Sequence, residues 1–126
     1  MKNKNIVKSF ENAAKGFIHA FKEERNLKIH VVSSIIIIFF SFYFKISKIE
    51  FAIILLTISS VIFAELINTA IENIVDMITD EYHPKAKVAK DVAAAAVFLT
   101  AFISVFVGLI VFLDRFANEF IRILGI

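Results

Sequence analysis

The chain has no cysteine, so it can build neither a disulfide nor a thiolate metal site. No two of its three histidines sit at metal-ligand spacing either. Its single proline, Pro84, marks the one loop of consequence. No Gly/Ser-rich linker, composition shift or internal repeat divides the 126 residues, which therefore read as one domain. The opening MKNKNIVKSFENAAKGF lacks an apolar core followed by a small-residue cleavage site, and so does not read as a secretory signal. There is no Walker-type phosphate loop and no kinase-type Gly-rich loop, so a nucleotide site would need another scaffold.

Apolar residues are abundant. They make up 59% of the chain, and a mean hydropathy of +0.79 is too high for a soluble domain of this size. The expectation is an all-α integral membrane protein with three transmembrane helices and an N-terminal amphipathic surface helix. In residues 1–26, Ile6, Phe10, Ala14, Phe17 and Phe21 recur at helical spacing, with Lys8, Glu11, Lys15 and Lys22 mainly opposite. Such a helix can lie on an anionic bilayer, among membrane lipids, or pack on the rest of the protein. Membrane helices are expected over 27–46, 49–78 and 91–113. The first reaches spanning length only if Lys28 and Lys45 snorkel.

The third span is the cleanest, because Ala93 to Leu113 carries no charge. Ala96, Thr100, Ser104 and Gly108 recur along it at every fourth position, a line of small residues that lets another helix approach. Asp114 to Ile126 reads as a short amphipathic tail. Ten Lys and Arg lie in the N-terminal segment and the second-to-third loop, against four at the opposite ends. That imbalance places the N-terminus and the acidic loop in the cytoplasm of a multi-pass plasma-membrane protein.

Chemistry concentrates where the second span ends. Glu65, Asn68, Glu72 and Asp76 fall within roughly 80° on one helical face. Such a stripe can be the solvated face of an amphipathic helix. Here, however, Glu65 sits inside the apolar run, Asn68 adds an amide, and the stripe runs into a polar loop. By helical rise Glu65 lies about 24 Å along the second helix, just inside a hydrocarbon core about 30 Å thick. Glu72 and Glu24 reach similar depths, about 35 and 33 Å, and Lys90 and Asp91 open the third helix at that surface.

Two carboxylates at phosphate level and a third at lipid head-group level predict phosphoryl transfer from a water-soluble donor to a membrane-bound alcohol. Mg²⁺ favours one or two carboxylates plus phosphate oxygens, matching Glu24 and Glu72. Lys90 can meet a phosphate as a point charge, oriented by Asp91. Glu65, partly desolvated beside like charges, suits a general base. Asp76 reads either as a support for the metal site or as a solvated residue. His19 and His30 receive no chemistry. A proton-coupled transporter is the rival reading, since an intramembrane carboxylate is a hallmark there too. Transport favours ionisable groups near the midplane, and these gather at one surface. A purely structural oligomer subunit would leave the acidic face without a use.

The stretch ELINTAIENIVDMITDEYHPKAKVAKD closely resembles the signature of the small prokaryotic diacylglycerol kinase family, and the likeness runs from about Ala13 to Leu113. It implies a homotrimeric membrane kinase using MgATP, with sites shared between subunits and no nucleic-acid partner. On this resemblance Glu65 is the base, Asn68 supports the catalytic centre, Glu24 and Glu72 hold metal, and Glu81, Tyr82, His83, Lys90 and Asp91 contact nucleotide. ERNLKIH, Glu24 to His30, resembles the branch that phosphorylates undecaprenol rather than diacylglycerol, with Lys28 where that branch often has Arg.

Overall fold

The computed structural model describes residues 5–126, which form four helices: α1 Ile6–Glu23, α2 Arg25–Tyr43, α3 Lys48–Ile78 and α4 Pro84–Leu124. No strand occurs among the described residues. By length and hydropathy α2, α3 and α4 are each able to cross a membrane. The fold is thus the all-α membrane protein that composition predicts, with an amphipathic helix at its start.

α1 opens where the Asn5 side chain accepts from the Val7 N–H at 3.0 Å, satisfying one of the donors a helix start leaves free. Only Ala20 of this helix is buried, so α1 is anchored near its last turn while Ile6, Val7 and Phe10 stay exposed. The break to α2 is one residue long. Glu24 is extended (φ −97°, ψ 113°), its N–H donates to the Ala20 carbonyl at 2.8 Å, and its own carbonyl accepts from Lys28 N–H at 3.3 Å. Lys28 Nζ then reaches back to the Lys22 carbonyl at 2.8 Å, placing a cation at the negative end of α1.

α3 starts with a capping box. Ser47 accepts from Glu50 N–H at 3.1 Å, and Glu50 accepts from Ser47 N–H at 2.8 Å. α3 and α4 form the main helix pair, and α2 leans on α3. α2 approaches α4 through side chains at the far end, away from α1. There Phe116 packs edge-on against Phe40 and Phe44, with centroids 4.9 Å apart in both pairs. The buried core of Ile54, Val111 and Phe112 sits beside them. Across this end Arg115 grips Glu50 with two parallel bonds of 3.0 Å, and Tyr43 donates to Glu119 at 3.0 Å.

Helix limits differ from the sequence expectation at two places. α4 begins at Pro84 rather than near Lys90, because His83 caps it and Pro84 fills the first turn, where no N–H is needed. The segment after Leu113 is no separate tail but continues the same helix to Leu124, where Gly125 closes it in the left-handed conformation at φ 70°. Within this continuation Arg115 pairs with Glu50 of α3, which ties the extended helix to its neighbour. Of the small-residue line of α4, Thr100 lies in the groove against α3 and Ser104 and Gly108 face a cavity shared with α2 and α3, while Ala96 is exposed.

Replacing Arg115 by Ala removes a bidentate carboxylate contact, and we expect a measurable loss of stability in detergent unfolding experiments. Glu50→Gln should lose less, because the amide still accepts one of the two bonds.

Candidate active site

At the α1 end, α3 carries its carboxylates out of the apolar core. Glu65 is only 2% exposed and sits in a helix whose other buried residues are Ile54, Val61, Ala64 and Thr69. Thr69 lies one turn on and spends its hydroxyl on the Glu65 carbonyl at 2.9 Å, so it does not serve the carboxylate. The group that does approach is His30 of α2, with Nε2 3.2 Å from Glu65 Oε1. That spacing allows an ion pair, yet the alignment is not that of a hydrogen bond, and Oε1 has no aligned donor in the protein.

Next along the face, Asn68 donates from Nδ2 to Glu72 Oε1 at 3.1 Å. Its Oδ1 is buried and accepts from nothing in the protein. A buried polar atom without a partner costs on the order of 1–3 kcal/mol, and two of them adjoin on consecutive turns of one helix. Such a cost persists most readily where a substrate or cation completes the bonding. Glu24 and Glu72 both lie within electrostatic reach of Glu65. The Glu24 side chain caps no N–H of α2, which leaves its carboxylate available at the helix start.

The other expected residues gather in a separate cleft between the end of α3 and the start of α4. Asp76, Thr79, Glu81, Tyr82, His83, Lys87, Lys90 and Asp91 line it. The turn is shaped by Thr79, whose hydroxyl accepts from Glu81 N–H at 3.2 Å. His83 is the N-cap of α4, its Nδ1 accepting from Lys85 N–H at 3.2 Å, and so only Nε2 faces outward for binding. Tyr82 is 80% exposed.

One expected partnership is different. Asp91 does not orient Lys90; it pairs with Lys87 one turn away at 2.5 Å. Lys90 is bonded instead by Asp76 Oδ1 of α3, which ties the two helices together at the mouth of the cleft. The reason is helical phase: adjacent residues point about 100° apart, whereas Asp76 lies across the helix pair. Asp76, read from the sequence either as a support for the metal site or as a solvated residue, has a cation partner in Lys90. Sequence reasoning also left His30 without chemistry, because its contact with Glu65 joins two helices and has no signature along either one.

Among the described residues, no three acidic or histidine side chains cluster closely enough to hold a metal by themselves. Mg²⁺ retains waters and phosphate oxygens and asks a protein for one or two carboxylates. Glu24, Glu72 and the unpartnered Asn68 Oδ1 fit that demand.

The chain resembles known proteins over most of its length. A family model described as prokaryotic diacylglycerol kinase matches residues 11–112. The chain is 44% identical over 110 residues to the undecaprenol kinase of Bacillus subtilis, covering 87% of this chain and 89% of that one. It is 39% identical over 105 residues to a diacylglycerol kinase of Synechocystis, covering 82% of this chain and 60% of the relative's length. It is 26% identical over 111 residues to the diacylglycerol kinase of Escherichia coli K12, covering 88% and 91%.

Lys90 and Asp76 remain 38% and 64% exposed, so their pair contributes little to stability. A double-mutant cycle of Lys90→Met with Asp76→Asn should show close to additive effects in thermal unfolding.

Proposed function

The chain belongs to the prokaryotic diacylglycerol kinase family and is a lipid kinase; from that membership we propose that it transfers the γ-phosphate of ATP to undecaprenol, giving undecaprenyl phosphate. The observation that carries the proposal is the burial of Glu65 where an apolar helix meets a cluster of polar side chains, with an oxygen no protein donor satisfies. A lipid hydroxyl at that level donates to Glu65 and is aimed at a phosphate arriving from the polar side.

In the proposed reaction the hydroxyl proton passes to Glu65 as the lipid oxygen bonds to the γ-phosphorus. The bond from that phosphorus to the bridging oxygen breaks, and ADP departs. His30 holds the Glu65 carboxylate from α2, and Asn68 keeps Glu72 in place through its amide. Glu24 and Glu72 would hold Mg²⁺, which when bound neutralises phosphate charge. Lys90 presents a cation to the phosphates, with Asp76 limiting its swing. Glu81, Tyr82, His83 and Asp91 line the cleft that takes the nucleotide. Phosphoryl transfer needs chiefly positioning and charge neutralisation, which this arrangement provides without a Gly-rich loop.

Undecaprenol is preferred over diacylglycerol on two grounds. The similarity to the Bacillus subtilis undecaprenol kinase spans nearly the whole of both chains, and ERNLKIH supplies the His30 that meets Glu65. The transporter alternative gives way to family membership. We further propose that residues 1–126 form one kinase domain working as a homotrimer, with the α1 end and the site in the cytoplasm and α1 resting on the membrane surface.

Purified protein supplied with MgATP and either undecaprenol or a diacylglycerol should phosphorylate undecaprenol at the higher kcat/KM. Glu72→Gln should abolish turnover together with Mg²⁺-dependent nucleotide binding. Glu65→Gln should keep nucleotide binding while kcat falls by about 10²-fold or more. Near-normal turnover in Glu65→Gln would overturn the assignment of the base.

A further inference from the structure

The space between α2 and α4, floored by α3, contains a cavity of about 90 Å³ that none of the roles above uses. His30, Ser33, Ser34 and Ile37 line it from α2, Ile54, Thr57, Ile58 and Val61 from α3, and Ser104 and Gly108 from α4. We propose that it takes the hydroxyl-end isoprene unit of a single-chain polyprenol, and that its narrowness selects such an alcohol over a two-chain glycerolipid. This rests on the reading of the protein as a lipid kinase with Glu65 as base.

Position is the first argument. His30 forms the wall at one end and is the residue that touches Glu65, so the cavity begins where the reacting hydroxyl is held. From Val61, one turn inside Glu65, it continues past Ile58 and Thr57 to Ile54, about 10 Å along α3 into the apolar part of the bundle. That is the direction a lipid chain must take from a hydroxyl at the membrane edge. α2 and α4 make no close backbone approach, which leaves a side through which a chain can slide in from the bilayer.

Chemistry is the second argument. The Ser34, Thr57 and Ser104 hydroxyls all donate to carbonyls of their own helices, at 2.7, 2.8 and 2.6 Å. These three have no hydrogen left for a ligand, Ser33 lies at the exposed rim of α2, and much of the remaining wall is isoleucine and valine carbon. A hydrocarbon chain satisfies such a wall. The ester groups of a diacylglycerol, the first of them on the carbon next to its hydroxymethyl group, would be buried there with few donors, which disfavours that acceptor. Size points the same way: the space, open on one side, has room for a single branched unit, and a second chain would have to stay outside it.

Gly108 makes the test clean, because a Cβ added there meets nothing within 4 Å, and a larger side chain can grow into open space. Farnesol and dioctanoylglycerol serve as short-chain acceptors, with ATP varied separately. In the wild type we expect farnesol to be the better acceptor. Gly108→Leu should raise the KM for farnesol about tenfold or more, erode the preference over dioctanoylglycerol, and leave the KM for ATP unchanged. Gly108→Ala should shift it in the same direction by less, and decides the matter should the leucine variant not fold. An unchanged farnesol KM in the variants overturns the cavity assignment while leaving the kinase reading standing. A wild type that phosphorylates only dioctanoylglycerol overturns the assignment together with the choice of undecaprenol. Phosphorylation of neither lipid sinks the proposed reaction itself.

Discussion

A carboxylate kept out of water at the edge of an apolar helix is the constraint around which this protein is arranged. Glu65 is 2% exposed, and a charge in such a setting is tolerated only with partners close by. The chain supplies His30 from α2, while Asn68 on the next turn of the same face binds the like charge of Glu72 through its amide. α2 and α3 must therefore run side by side at this depth, and the one-residue break at Glu24 must fall at the head of α2. The elements of the site are where they are because the buried acid needs company from more than one helix.

The two ends of the bundle handle polar groups in opposite ways. At the far end, charges are consumed within the protein: Arg115 closes on Glu50, Tyr43 on Glu119, and rings of α2 and α4 interleave around them. At the α1 end, several groups are left with capacity to spare, including the unpartnered oxygens of Glu65 and Asn68 and the uncapped side chain of Glu24. The aromatic packing and the Arg115–Glu50 pair lie at the end away from the candidate site, whose polar atoms keep capacity for a ligand. α1, held near its last turn, leaves the approach along the membrane surface unblocked.

Much of this was legible in the sequence, for identifiable reasons. Long apolar runs have few structural solutions, so the three spans follow from hydropathy alone. The stripe of Glu65, Asn68 and Glu72 follows from helical periodicity, which is a local property. What could not be read were contacts between helices. His30 against Glu65 and Asp76 against Lys90 depend on the relative rotation of neighbours, and no spacing along one chain segment encodes that. Asp91 looked like the natural companion of Lys90 because it is adjacent, but adjacency on a helix separates side chains rather than joining them. The continuation of α4 past Leu113 was hidden for a similar reason, since Arg115 reads as the end of a span until its partner near the start of α3 is known.

That continuation has a practical side. From Asp114 to Leu124 the uninterrupted helix extends roughly 16 Å beyond the apolar stretch, so the C-terminus rides on a stiff post on the face opposite the reactive groups. A fluorophore or affinity handle attached there is carried by a helix and sits at the far end of the bundle from Glu65.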